Sequence, residues 1–159
     1  MEARFDYAKA APGISRALAE AERYLYTCGL EESLLNLVRL RASQINGCAY
    51  SIDVYWKEAR FDGETEQRLY GLNAWRESTY YTERERAALA WAEAVTLIAG
   101  DRVPDSVYEE VRPFFDFREL SDLTLAIALT NAWNRLSIAT RKEAGEHMPA
   151  GVEEPRRAG

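Results

Sequence analysis

The chain has 159 residues, 47% of them hydrophobic and 29% charged, which suffices for one domain with a buried core but not for two. Its formal net charge of −6 argues against a general nucleic-acid-binding or anionic-membrane surface. No apolar run is long enough to span a membrane, and the first residues lack the order of a signal peptide, so we expect a cytoplasmic protein.

Cysteine and histidine are scarce, and this limits the possible chemistry. Cys28 and Cys48 are the only cysteines, and in a reducing compartment we expect two thiols, with a bridge between them as the alternative. His147 is the only histidine and lies near the carboxyl terminus. A histidine-rich metal site and a Ser-His-Asp triad are therefore not expected, and nothing in the sequence calls for a metal or another cofactor.

The spacing of apolar residues predicts an all-α, single-domain protein. The expected helices span residues 14–27, 31–46, 48–61, 64–72, 82–99, 104–114 and 118–142. Thr82 and Glu85 have the spacing of a capping box, which marks the start of the fifth helix. The last helix is apolar on nearly every side, so we expect it in the centre of the fold or at a subunit interface. Residues 1–144 thus form the predicted domain, and residues 145–159 a flexible tail.

A cysteine at a predicted helix start is the most informative local feature. Asn46-Gly47 ends one helix, and Cys48 falls in the first turn of the next, where free backbone N–H groups and the helix dipole favour a thiolate. Cys48, Ser51 and Tyr55 follow at i, i+3 and i+7, so they share one face of that helix. This arrangement suits a polar pocket, although a small buried cysteine beside two packing residues is the simpler interpretation of the spacing alone.

Several separate motifs in a fixed order make the chain similar to a known family. They are RLRASQINGCAY at residues 39–50, followed by ID, KEAR and GETEQRLY, then ERERAALAW at residues 83–91 and NAWNR at residues 131–135. Over residues 5–140 the sequence resembles the alkylhydroperoxidase D-like (AhpD-like) branch of the carboxymuconolactone decarboxylase family. The resemblance implies a helical bundle that assembles as a homotrimer or homohexamer. It also implies relatives that are thiol peroxidases, related oxidoreductases or decarboxylases.

At the site itself the chain departs from the family's pattern of a glutamate, two cysteines and a histidine. The first cysteine matches Cys48, but the second falls on Ser51, the histidine on Tyr55 and the glutamate on Asn36. In the family the second cysteine attacks peroxide, the histidine and glutamate relay its proton, and the first cysteine closes the disulfide. A serine cannot form that disulfide, and a tyrosine is not a base at neutral pH. The comparison therefore implies that dithiol peroxidase chemistry has been lost.

We therefore expect a repurposed enzyme that binds or acts on a small molecule, through a cofactor-free lyase, isomerase or transfer reaction. Two alternatives remain: a single-cysteine thiol peroxidase with an antioxidant role that uses Cys48, and a non-catalytic oligomeric binding protein. Arg39 and Arg41 are expected to pair with nearby glutamates rather than with a substrate. The predicted site comprises Asn36, Cys48, Ser51 and Tyr55 as catalytic residues and Tyr50 and Trp56 as substrate-binding walls.

Overall fold

The computed structural model describes residues 2–150 of the chain. This part contains nine α-helices and one short 3-10 helix. The α-helices are α1 (Tyr7–Ala10), α2 (Pro12–Leu25), α3 (Glu32–Asn46), α4 (Ala49–Phe61), α5 (Glu66–Gly71), α6 (Glu83–Thr96), α7 (Ile98–Asp101), α8 (Asp105–Val111) and α9 (Phe117–Thr140). The 3-10 helix spans Leu72–Ala74, between α5 and α6. Residues 2–150 contain no strand, so the predicted all-α class is confirmed. None of these helices is both long and apolar enough to cross a membrane.

Helix α3 occupies the centre of the bundle and packs against α4, α6 and α9. It contributes to two buried clusters of apolar side chains, one on each side. The first, shared with α6 and α9, includes Leu35, Val38, Ala88, Leu123 and Ile127. The second, on the side of α5 and the 3-10 helix, includes Leu37, Leu40, Leu69, Leu72 and Trp75. Helix α9 packs against α2, α3, α4 and α6, which agrees with its expected central position. The end of α3 is therefore anchored in the core.

The junction between α3 and α4 is built around Gly47, as the sequence predicts. Gly47 has a φ of 67°, and its N–H and that of Cys48 return to the carbonyls of Gln44 and Ser43. A left-handed residue in this position ends a helix, and glycine adopts it without steric cost. Cys48 has extended backbone and is the residue just before α4, so it occupies the N-cap position, without a capping hydrogen bond from its side chain, instead of lying in the first turn. The difference is one residue and leaves Cys48 at the helix start.

The amino-terminal helix boundary differs from the predicted one. Helix α2 begins at Pro12, whereas the sequence analysis placed Pro12 before the helix. Proline is favoured at the first helical position because its missing N–H would have no partner there in any case. A further short helix, α1, precedes it, because the carboxylate of Asp6 accepts hydrogen bonds from the N–H groups of Ala8 and Lys9.

Two capping boxes define the starts of the long helices α6 and α9. The predicted box between Thr82 and Glu85 is confirmed at the start of α6. A second box, formed by Asp116 and Glu119, starts α9 at residue 117. At its other end α6 stops at Thr96, three residues before the predicted end, and the chain continues as the separate turn α7.

The last described residues, 143–150, form an irregular stretch that we call the C-terminal segment. The ammonium group of Lys57 on α4 donates hydrogen bonds to the carbonyls of Gly145 and His147, both at 3.0 Å. The N–H of Gly145 in turn donates to the carboxylate of Asp53, at 3.1 Å. These bonds hold residues 145–147 of the predicted tail against α4. Residues 151–159, the remainder of the predicted tail, lie outside the described residues.

Candidate functional site

Cys48 and Ser51 are buried together at the start of α4. Their side chains are 1% and 3% exposed, and the thiol of Cys48 donates a hydrogen bond to the hydroxyl of Ser51 at 3.2 Å. The predicted sharing of one helix face therefore brings these two groups into contact. Both Cys28 and Cys48 are free thiols, so the structure contains no bridge between them. The sulfur of Cys48 faces a hydroxyl in the place where the resemblance implies a second thiol.

Tyr55 lies one turn further along α4, next to a buried arginine. The guanidinium of Arg39 stands 5.9 Å from the centre of its ring. Desolvation raises the pKa of Tyr55 well above its usual value, and the negative charge of Glu22 acts in the same direction. The hydroxyl of Tyr55 is therefore protonated at neutral pH, and it can donate a hydrogen bond but cannot act as a base.

Arg39 and Arg41 are paired with glutamates, as predicted. The Arg39 side chain, 4% exposed, contacts Glu22 at 3.0 Å and Glu32 at 2.7 Å. Arg41 contacts Glu93 at 2.8 Å. The charge of each arginine is therefore matched within the protein.

Asn36 and Trp56 do not line the cavity that Tyr50, Ser51 and Tyr55 share. The buried amide of Asn36 donates to the carboxylate of Asp62, at the far end of α4, with a distance of 2.7 Å. Trp56 packs against the second core cluster. Neither belongs to the wall of the cavity described next. Sequence spacing placed Asn36 correctly on α3 but could not tell which partner its side chain would meet.

A cavity of about 280 Å³ opens beside Ser51 and Tyr55, between α4, α9 and the amino-terminal helices. Tyr50 is part of its wall. Its aromatic and polar lining comprises Tyr7, Ser15, Tyr50, Ser51, Tyr55, Trp133, Ser137, Lys142 and His147. The hydroxyl of Ser137 is buried and has no hydrogen-bond partner. Because buried polar groups are normally satisfied, this hydroxyl marks a place for a ligand atom or a water. Cys48 lines an adjoining cavity that shares Tyr50, Ser137 and Lys142 with this one.

Lys142, just after α9, provides a positive charge in the cavity wall. Its ammonium group lies 3.9 Å from the centre of the Tyr50 ring and 5.5 Å from that of Tyr7. Burial by itself would lower the pKa of Lys142, but the neighbouring hydroxyls of Tyr50 and Tyr7 raise it above its ordinary value. Lys142 is thus charged at neutral pH and can attract an anionic group. No sequence motif indicates a role for Lys142.

His147 also lines the cavity, which the sequence did not suggest. Its Nε2 atom lies 2.6 Å from a carboxylate oxygen of Glu58 on α4. The two residues are separated by 89 positions, so no local pattern could have predicted the contact. The one available signal was that His147 is the single histidine of the chain.

The polar residues of α9 fix the end of α3, and with it the position of Cys48. The amide of Asn46 donates to the side-chain oxygens of Asn131 and Asn134, at 2.9 and 2.8 Å. Asn134 in turn donates to the hydroxyl of Ser43 at 3.1 Å. The motif NAWNR, noted in the sequence for its resemblance only, therefore contributes two anchors for the junction.

Within residues 2–150, no three His, Cys, Asp or Glu side chains gather in a metal-binding arrangement.

The helical bundle and the cysteine at the start of its fourth helix define an AhpD-like fold. The chain belongs to the carboxymuconolactone decarboxylase family, whose family model matches residues 12–94. Over 144 residues it is 41% identical to the uncharacterized protein YdfG of Bacillus subtilis (strain 168), covering 91% of this chain and 98% of that protein. It is 27% identical over 110 residues to the uncharacterized protein YnjA of Escherichia coli (strain K12), covering 69% and 60% of the two chains.

Solved structures support the same assignment. A protein of unknown function from Agrobacterium tumefaciens, proposed to be the antioxidant defence protein AhpD, superposes with a TM-score of 0.88 at 42% identity, over 92% of this chain and 100% of that one. The debrominase Bmp8 superposes with a TM-score of 0.78 at 18% identity, over 87% of this chain and 74% of that one. At that identity the second likeness shows the fold alone. The family and fold expected from the sequence motifs are therefore confirmed.

Proposed function

We propose that the chain binds and acts on a small, planar molecule with an acidic group, in the cavity beside Ser51 and Tyr55. The observation that carries this proposal is the composition of the wall. Tyr50 and Trp133 offer aromatic surfaces, the charged ammonium of Lys142 offers a counter-ion, and the unpartnered hydroxyl of Ser137 offers a hydrogen bond. Sites of this kind combine apolar walls with a few polar groups that orient the ligand.

The reaction we propose needs no cofactor and belongs to the lyase, isomerase or transfer classes. Its support is that the Tyr55 hydroxyl keeps its proton at neutral pH and lines the cavity, so it can donate a hydrogen bond to a developing negative charge. A dithiol cycle lacks support, because Ser51 stands beside Cys48 where the second sulfur would be needed. In this proposal Cys48 does not itself react. Its thiol donates a hydrogen bond to the hydroxyl of Ser51 and so holds that hydroxyl in place.

The proposal is tested by measuring ligand binding calorimetrically with 4-hydroxybenzoate and its neutral counterpart 4-hydroxybenzyl alcohol. We expect the carboxylate to bind and the alcohol to bind at least about tenfold more weakly, since a charge-assisted hydrogen bond contributes on the order of 1.5–3 kcal/mol. Lys142→Met should abolish this preference. Arg23→Met, which removes the same charge from an exposed side chain, should leave it unchanged. Equal affinity for the two compounds, or no binding of either, would contradict the proposal.

A single-cysteine thiol peroxidase is the second candidate, because the 42% identical neighbour is proposed to be an antioxidant defence protein. Cys48 would then be oxidised by peroxide to a sulfenic acid and reduced by an external thiol. The 1% exposure of Cys48 argues against it, since peroxide must reach the sulfur. Dimedone labelling after peroxide treatment distinguishes the two: labelling of native Cys48 supports the peroxidase, and its absence supports the first proposal.

We further infer a homotrimer or homohexamer in the cytoplasm. A shallow groove between α2 and α9 supports self-association, because its lining is almost wholly apolar and includes Ile14, Leu18, Ala132, Leu136 and Ala139. Light scattering coupled to gel filtration tests this directly. A mass of one chain at micromolar concentration would contradict it.

A further inference from the structure

We propose that His147 and Glu58 form the acid–base pair of the cavity, with His147 taking a proton from the bound molecule. This inference rests on the proposed function, since it assumes that the cavity holds a small acidic molecule. It assigns a role to a histidine outside the four positions at which the family resemblance places the reactive groups. Here the imidazole comes from the C-terminal segment and the carboxylate from α4.

The geometry of the pair determines which nitrogen is free. The Nε2 atom of His147 lies 2.6 Å from the carboxylate of Glu58, so in the neutral ring the proton sits on Nε2 and is donated to Glu58. The lone pair is then on Nδ1. The His147 side chain is 24% exposed and lines the cavity, so it is not sealed from a ligand there. A histidine oriented in this way by a carboxylate is the arrangement that makes imidazole an effective general base.

The C-terminal segment is fixed well enough to hold the ring in place. Lys57 donates to the carbonyls of both Gly145 and His147, and Asp53 accepts from the N–H of Gly145. Lys57 and Asp53 also pair with each other at 2.9 Å. These two charged residues of α4 therefore hold the backbone of residues 145–147, which carries the imidazole. A base must be held by such supporting contacts if it is to meet its substrate in a fixed geometry.

The proton-transfer step balances within the cavity. An O–H or acidic C–H bond of the bound molecule breaks, its electron pair stays on the molecule, and a new N–H bond forms at Nδ1 of His147. The resulting imidazolium faces the carboxylate of Glu58, while the anion faces the ammonium of Lys142. The hydroxyls of Tyr50 and Tyr55 also line the cavity, and the pKa of Tyr55 is raised, so it does not compete for the proton. Both charges that the transfer creates thus meet an opposite charge.

The single histidine makes the test direct. Protein made with 15N-labelled histidine gives one imidazole, and its nitrogen shifts report which atoms carry protons. In the free protein, wherever the ring is neutral, we expect its proton on Nε2 because that atom faces Glu58, and Glu58→Gln should disturb this preference. The probe is 4-nitrophenol, whose phenolate absorbs visible light, added at a pH slightly below its own pKa. On binding, the phenolate band already present in the free probe should grow, and Nδ1 should acquire a proton. In His147→Asn the band should be weaker than in the unmodified chain, whereas Arg23→Met should match the unmodified chain.

The outcomes separate this inference from the proposed function. If 4-nitrophenol binds, as shown by calorimetry, but the imidazole nitrogens do not change, His147 is not the acceptor and the inference fails while the cavity proposal stands. If Lys142→Met weakens the phenolate band but His147→Asn leaves it unchanged, the inference fails while the cavity proposal stands. If neither 4-nitrophenol nor 4-hydroxybenzoate binds, the proposed function fails and this inference with it.

Discussion

The thiol of Cys48 donates a hydrogen bond to the hydroxyl of Ser51 across 3.2 Å, with both groups buried at the start of α4. Two side chains so placed at i and i+3 would be close enough for sulfur chemistry if both were thiols. The hydroxyl prevents this, because oxygen in place of the second sulfur cannot complete a disulfide. The chemistry of the site then depends on its other residues, such as Ser137 on α9 and His147 on the C-terminal segment.

Replacing Ser51 by cysteine should restore the missing half of a dithiol. In Ser51→Cys that is refolded from denaturant in the presence of peroxide, we expect the thiols at positions 48 and 51 to be oxidised to a disulfide, with loss of two hydrogens measured by mass spectrometry after trypsin digestion. Turnover should stay slow, because Tyr55 cannot act as a base. Ser51→Ala is the control and should show no such loss. Retention of both thiols in Ser51→Cys under peroxide would show that the helix start does not bring the two sulfurs into bonding geometry.

The two native cysteines should be protected from reagents while the chain is folded. Cys28 and Cys48 are 5% and 1% exposed, so we expect neither to react rapidly with Ellman's reagent in buffer. In denaturant both should react at once, which gives the control within the same sample. Rapid reaction of one thiol in native protein, assigned to Cys48 by its absence in Cys48→Ala, would instead favour the single-cysteine peroxidase.

Removing Arg39 should destabilise the fold strongly. Arg39→Met leaves the partly exposed carboxylates of Glu22 and Glu32 without their buried partner, and we expect a loss of about 2 kcal/mol, between the values for exposed and for fully buried pairs. Urea unfolding followed by circular dichroism measures the change. Arg23→Met is the matched control: its pair with Glu20 is exposed, so we expect a change of less than about 1 kcal/mol. If the free energy of unfolding fell by similar amounts in the two variants, burial of Arg39 would not be the cause of the destabilisation.

Glu93 should make stability depend on acid. Burial opposes its charge, but hydrogen bonds from Trp75, Arg76 and Arg41 outweigh this and lower its pKa below the ordinary value of 4.5. A lowered pKa means that the folded state favours the carboxylate, so this contribution to stability is present above pH 4.5 and lost as the pH falls through the folded-state pKa.

We therefore expect Glu93→Gln to be less stable than the unmodified chain at neutral pH, with a difference that shrinks as the solution is acidified. The measurement is urea unfolding at several pH values. Glu20→Gln, at an exposed position, should show no comparable difference. A gap between Glu93→Gln and the unmodified chain that widens on acidification would contradict the assignment.

Local signals predicted much of the fold. The Asn46-Gly47 pair determined where α3 ends and α4 begins, because a left-handed turn there favours glycine. The Thr82 and Glu85 spacing determined the start of α6, since a capping box is a contact between residues three apart. Helix ends that depend on weaker preferences were predicted less accurately. The start of α2 at Pro12 and the end of α6 at Thr96 each lie a few residues from the predicted position.

For the site, the sequence by itself determined the family, the place of Cys48 at a helix start and the presence of Ser51 and Tyr55 on its face. Each depends on motifs or on spacing within one helix. Only the tertiary structure decided that Asn36 contacts Asp62 and that His147 reaches Glu58 and the cavity. Those contacts join separate elements, and helix periodicity specifies which side of a helix a residue occupies but not which distant residue will face it.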